Sequence, residues 1–438
     1  MPATDIVTSL DAAHLLRRVG FGPTAAEIQA LTGLTRQAAV AAVMDFTGAP
    51  AVVRPAVDDR NNEWDCYVAA QEWWVERMRT TNKPLQEKMT LFWHNHFCSS
   101  QDKLFDMGAM FDQNQKFRTL GMGSFETLCQ TIAIDPAMLV YLDNATNRVG
   151  AEQENFAREL MELFTVGVGH YTEQDVIAMA KAWTGHNIVG WNGSFTDATY
   201  AWHPERHDNT IKTLFGIAQN WNGPQAITEI VSGSKKTECS QFIARKMFKF
   251  FAHTNPSDAL VNVLASAFAA TMTISDLVGA ILLHDEFWSA TSRWALVKSP
   301  VEFVVDVLRR LGQPSTVAGL PWAVEGMGQV LFNPPNVAGW GQNAYWLSTA
   351  TAWARGGWLG YLKWQLDGWN FWDQFQLSGG SALPVATAVQ KIFDDLGIVE
   401  PSNTTRAQLT SWWNAEPSWA RQPNALIVGA MCPEFNVV

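Results

Sequence analysis

Residues 154–175 read ENFARELMELFTVGVGHYTEQD, and their spacing predicts two helices joined by a glycine-bounded turn. At 3.6 residues per turn, Asn155, Glu159 and Glu162 share one face, with Arg158 beside them. Phe156, Leu160, Leu163 and Phe164 fall on the other side, and Met161 lies near the boundary. The segment is an amphipathic helix with a narrow acidic stripe on an apolar body. Val166-Gly167-Val168-Gly169-His170 is too glycine-rich to continue it, and Gly167 or Gly169 suits a left-handed cap. Thr172 then starts a second helix, with Glu173 and Asp175 in its first turn. His170 stands at the tip of the turn.

The same helical period recurs outward in both directions. It predicts two helices over 9–44, one over 63–82, and one opened by Pro84. Further helices are expected over 173–184, 224–233, 237–253, 257–269, 273–284, 298–311, 321–332 and 345–364, and across most of 385–430. Residues 187–216 are rich in Gly, Asn, Thr and aromatics and read as a loop with a short hairpin. Residues 48–62 read as a loop, and Trp369 and Trp372 mark a lid-like one. The expected fold is therefore all-α: a predominantly helical, multi-helix globular chain. It forms a single large domain over 1–438, with a loop-rich insertion at about 187–216.

Composition narrows the function classes. A chain of 438 residues that is 47% hydrophobic has ample material for a large core. A net charge of -11 with no basic cluster argues against nucleic-acid binding. No apolar run is long enough to span a membrane, and the N-terminus lacks a signal-peptide core, so the sequence as written reads as cytoplasmic. The five cysteines are scattered and form no CxxC, so they read as buried free thiols. Tryptophan is heavily used, 21 residues against 6 tyrosines, which suits either core filling or faces that stack on a ligand.

Several side chains are candidates for chemistry. Glu159 and Glu162, one turn apart, can bind a hard cation, share a proton or hold an arginine. Glu159, beside Arg158, is expected to stay ionised, whereas Glu162, nearer the apolar end, is expected to be the proton donor. Asn155 and Arg158 would support them. Trp93-His94-Asn95-His96-Phe97 places two histidines at the end of an apolar helix, where Glu87, seven residues before His94, shares its face and is expected to orient it. His94 and His96, two apart, cannot share a helical face. His207 and Asp208 lie in the 187–216 insertion. Glu302, in the capping sequence Ser299-Pro300-Val301-Glu302, is an alternative carboxylate. Trp340, in the rigid Pro334-Pro335-Asn336-Val337-Ala338-Gly339-Trp340 loop, and Trp346 are stacking surfaces that wall a pocket.

Together these landmarks resemble a bacterial family known as domain of unknown function 1800. The resemblance rests on His14-Leu15-Leu16-Arg17-Arg18 with Gly20-Phe21-Gly22-Pro23, on Trp93–Phe97, on Asp135-Pro136-Ala137-Met138-Leu139, and on the Glu154–Val176 stretch. It extends to His207-Asp208 with Lys212, Ser299–Glu302 and Pro334–Trp340. It implies a mostly helical protein, often exported and often encoded beside a sulfatase-like partner, and it supplies no activity. The chain departs from the family where His186 follows Thr184-Gly185 in place of a tryptophan, and in lacking an evident export signal.

Two function classes remain open. In the first the protein is an enzyme working by carboxylate acid–base chemistry on a small-molecule or saccharide substrate, as in glycan hydrolysis. Glu159, Glu162, His207 and Asp208 are then the catalytic candidates, and Asn155, Arg158, His94, His96, Trp340 and Trp346 the substrate-binding ones. A variant makes it a hydrolase or oxidoreductase with a divalent metal held by Glu159, Glu162 and a histidine. In the second class the acidic stripe is a structural ion-pair network, the tryptophan-rich loops form a partner surface, and the protein is a scaffold for the sulfatase-like partner. Convergence of Glu159, Glu162, His94 and His207 in one cleft would favour the enzyme.

Overall fold

A computed structural model describes residues 4–55, 63–190, 198–366 and 383–438. Trp369 and Trp372 lie outside the described residues. Helices dominate, and the described strands form two short antiparallel hairpins. His186–Val189 pairs with Thr199–Trp202, His186 opposite Trp202, and Lys212–Leu214 pairs with Ile217–Gln219. The fold is thus the expected helical one with a small β-containing insertion.

Local chemistry accounts for the helix boundaries. Capping boxes start helices at Thr8 with Asp11, Thr24 with Glu27, Thr172 with Asp175 and Ser299 with Glu302. Residues 9–44 form three helices rather than two: Ser9–Val19, Ala25–Leu31 and Arg36–Met44. The extra break follows from Thr35, whose hydroxyl accepts the Ala38 N–H and caps a new start. The 321–332 segment shortens to Trp322–Met327, because Gly328 takes a left-handed cap at φ 90°. The C-terminal region divides into Val385–Asp395, Asn403–Ala415 and Ser418–Ala430. No helix among the described residues is long and apolar enough to cross a membrane.

Two hydrophobic clusters meet along the Pro84–His96 helix. Leu85, Met89, Phe92 and Trp93 join the cluster built from the Ser9–Val19 helix and the helices between residues 125 and 283. Leu91 faces the other cluster, which takes in the Glu63–Thr80 and Pro300–Leu311 helices and the C-terminal ones. Beside this seam lies a small separate group of Val297, Trp340 and Trp346. The five cysteines are free and buried, and burial pushes the Cys98 thiol up to about 12.

Candidate functional site

The central helix is not a regular α-helix. It runs as α over Asn155–Glu159 and then widens into a π-helix over Leu160–Thr165. The Val166 N–H donates five residues back, to Met161 O at 3.0 Å, and the Thr165 hydroxyl donates to Leu160 O at 2.5 Å. Near the end of the wide turn, Lys246 Nζ donates to Leu163 O at 3.0 Å, and His96 Nε2 donates to Phe164 O at 3.0 Å. His96 is therefore a buried structural donor, and burial holds its imidazole far below the ordinary range.

Glu159 and Glu162 sit half-buried at the surface, and Tyr171 donates its hydroxyl to Glu162 at 2.7 Å. Arg158 turns from Glu159 to grip both oxygens of Glu173 at 2.8 Å, with Glu154 at 3.4 Å. Asn155 donates to Asp143 at 2.7 Å. This corrects the expected pairing: Arg158 makes its ion pairs with Glu173 and Glu154, and none among the described residues with Glu159. Burial and the Glu162 charge raise its carboxyl above the usual range.

The other candidates do not join this pair. His94 accepts the Phe332 N–H at 3.1 Å and packs against Trp74, Phe332 and Trp340, and burial brings its pKa to about 3. Glu87 does not orient it, because Arg77, Arg118 and the Trp74 indole N–H occupy that carboxylate at 2.5, 2.7 and 2.9 Å. His207 Nδ1 donates to Thr184 O at 2.9 Å. Asp208 accepts from the Thr210 amide and hydroxyl, at 2.7 and 2.5 Å, and Lys212 donates to Asp208 O at 2.5 Å. These two residues pin the insertion to Thr184. Among the described residues no hydrogen bond or ion pair joins His94, His207 or Asp208 to Glu159 or Glu162. No group of three or more His, Cys, Asp or Glu side chains there is placed to hold a metal ion. A cation between Glu159, Glu162 and a histidine thus lacks its third ligand.

A different group does converge. Beside the cluster seam is a cavity of about 280 Å³ walled by Trp340, Trp346 and Phe250. Arg18, Lys88, Asn95, Glu302 and Gln329 bring polar atoms to it. Asn95 accepts the Trp340 N–H at 2.7 Å, so the middle residue of the WHNHF motif holds the tryptophan loop in place. Gly339 allows that approach: its φ is +85°, and a Cβ there would stand 2.3 Å from Asn95 Oδ1. Lys88 pairs with Glu302, whose other oxygen accepts the Ser299 N–H at 2.7 Å. Burial, with Arg18 and Lys298 nearby, draws the Lys88 ammonium down toward about 7; the Glu302 carboxylate in contact with it pulls the other way.

Trp340 and Trp346, expected to wall a pocket, do so here, and Glu302 is the carboxylate that accompanies them. Arg18, Lys88 and Asn95 were not expected. The available signal was a pair of arginines on an otherwise apolar helix face and an asparagine between two histidines. A larger open groove of about 880 Å³ passes Tyr171, with Lys181, Lys212 and Lys235 along it, but it has no comparable enclosure by aromatic faces.

The model of a family described as protein of unknown function (DUF1800) matches residues 14–437. No curated protein and no solved structure matches the chain.

Proposed function

Since the chain belongs to the DUF1800 family, whose description names no reaction, we propose from its own residues that it is an enzyme moving protons on a small organic molecule in the Trp340–Trp346 cavity. Lys88 and Glu302 are the exchanging pair. The observation that carries this reading is a lysine with 3% of its side chain exposed, paired with a carboxylate at the wall of an aromatic-lined cavity. A general acid or base works best when its pKa lies near the operating pH, and burial moves Lys88 in that direction. Glu302, fixed by the Ser299 amide, holds the ammonium in place and receives its proton. Trp340 and Trp346 give flat faces for a ring. Carboxylate acid–base chemistry is thus retained from the sequence reading, with its carboxylate moved from Glu159 and Glu162 to Glu302. Two-carboxylate cleavage of a glycoside is less well supported, because Glu302 is the only acidic side chain among the described cavity-lining residues.

The test is turnover across a panel of small esters, amides, oxo acids and aryl glycosides. Lys88→Met should reduce any turnover found by about 10²–10⁴-fold. Glu162→Gln should leave it unchanged. Full activity in the Lys88→Met protein would reject the assignment.

A further inference from the structure

The cavity contains a cation that nothing in the described chain neutralises. Arg18 is 1% exposed and lines the cavity. One of its terminal nitrogens, Nη2, donates to Ser292 O; Nε and Nη1 find no hydrogen-bond partner. No ion pair with a carboxylate satisfies it among the described residues, and the neighbouring charge that acts on it is Arg17, a like charge. An uncompensated buried guanidinium is costly, and it stays protonated at neutral pH because burial lowers its pKa only to about 9. Lys88 adds a second cation, and Lys249 a third at an exposed position. Among the lining side chains the one carboxylate is Glu302, already committed to Lys88 and to the Ser299 N–H. The cavity is therefore left with an excess of positive charge and two unused guanidinium nitrogens.

We propose that this cavity takes a small ring-bearing ligand carrying an oxyanion, a carboxylate or a phosphate, and that Arg18 is its anchor. The proposal rests on the cavity being the working site and names the substrate class for it. The guanidinium fork matches the geometry of an oxyanion and leaves the ring for Trp340 and Trp346. An arginine kept for a ligand also has a distinctive signature. Removing it should relieve the free protein of a buried charge, whereas removing a structural arginine should weaken it.

The probes are benzoate and phenyl phosphate, with benzamide and benzyl alcohol as neutral counterparts. Binding is read by tryptophan fluorescence and by the shift in melting temperature. In the unmodified protein the anions should bind about tenfold or more tighter than their neutral counterparts, in line with a hydrogen-bonded charge pair. The stronger of the two anions identifies the oxyanion. Arg18→Met should abolish that preference while holding or raising the melting temperature of the free protein. If Arg18→Met does not fold, Arg18→Lys should retain the preference with a loss of affinity, since a point charge replaces the fork. Equal affinity for anions and neutral analogues, or no anion-dependent shift at millimolar concentration, would overturn the proposal. Anion binding without any turnover would leave Arg18 as anchor and reject the acid–base reading. Turnover of neutral substrates with no anion preference would do the reverse.

Discussion

Asn95 shows how a single position can reorder a motif. In WHNHF the two histidines attract attention because imidazole is the common acid–base and metal-binding group. Successive helical residues point about 100° apart, so His94, Asn95 and His96 must face three different surroundings. His94 takes the Phe332 amide, His96 takes the Phe164 carbonyl, and Asn95 takes the Trp340 loop at the cavity. The histidines are consumed by backbone groups, and the asparagine builds the site. The sequence contains the three residues without saying which face meets which neighbour, because that depends on how the Pro84–His96 helix is rotated against the rest. Gly339 is the counterpart of Asn95, and replacing it is a sharp test of the contact. Gly339→Ala forces a non-glycine residue to φ +85° and places its methyl against Asn95 Oδ1 and, at 2.5 Å, Asn95 O. Left-handed backbone alone costs about 1–2 kcal/mol, and the clash adds to it. The loop should lift off, lowering the urea midpoint and changing tryptophan fluorescence. Unchanged stability and spectrum would mean that the loop does not sit on Asn95.

At the scale of elements, helix identity was legible and helix winding was not. Regular spacing of apolar residues predicted most helices, and the capping sequences at Thr172 and Ser299 gave their starts. The segment from Leu160 to Thr165 follows the same apolar spacing, yet it is wound as a π-helix. The reason lies outside the segment. Lys246 and His96, 83 and 68 residues away in sequence, donate to Leu163 O and Phe164 O and hold the wide turn's exit. A pattern local to residues 154–166 cannot report partners so distant. His96 is buried and Lys246 half-buried, and removing either leaves a carbonyl without that donor. His96→Phe and Lys246→Met should each destabilise by about 1–3 kcal/mol. The double variant should lose less than the sum, because both donors support one turn. Hydrogen exchange of the Val166 and Gly167 amides, which both donate to Met161 O, should accelerate in each single variant. Full additivity, with those amides still protected, would show that the π turn is held by the Leu160–Thr165 segment itself.

At the scale of the molecule, the sequence supplied a large helical core, but not the burial of charge that accompanies it. Six histidines are buried, and in four of them, His14, His94, His96 and His186, burial acts strongly on the imidazole. Desolvation keeps all four neutral, with His94 and His186 brought to about 3 and the other two lowered well below the ordinary value. In the unfolded chain each would titrate near 6.5. Below that pH the unfolded state binds protons that the folded state refuses, so stability is full above about 6.5 and is lost as the pH falls toward the folded values. Each histidine contributes a slope of about 1.4 kcal/mol per pH unit once the unfolded form is protonated. The other buried groups act in different windows. Glu87 and Asp306 are held below the usual carboxylate range by cationic neighbours, so their stabilisation is lost only at more acidic pH. Lys246 and Lys298, lowered to about 8, change stability between there and the ordinary lysine range, on the alkaline side. Between pH 6.5 and 5 the histidines therefore dominate, and the urea midpoint should fall steeply over that interval. His94→Gln keeps an acceptor for the Phe332 N–H and removes one titrating ring, so it should flatten the slope by about one proton. A midpoint that is constant from pH 7 to 5 would require the buried imidazoles to accept protons without unfolding. That in turn would require water or a carboxylate beside His94, where the structure puts Trp74, Phe332 and Trp340.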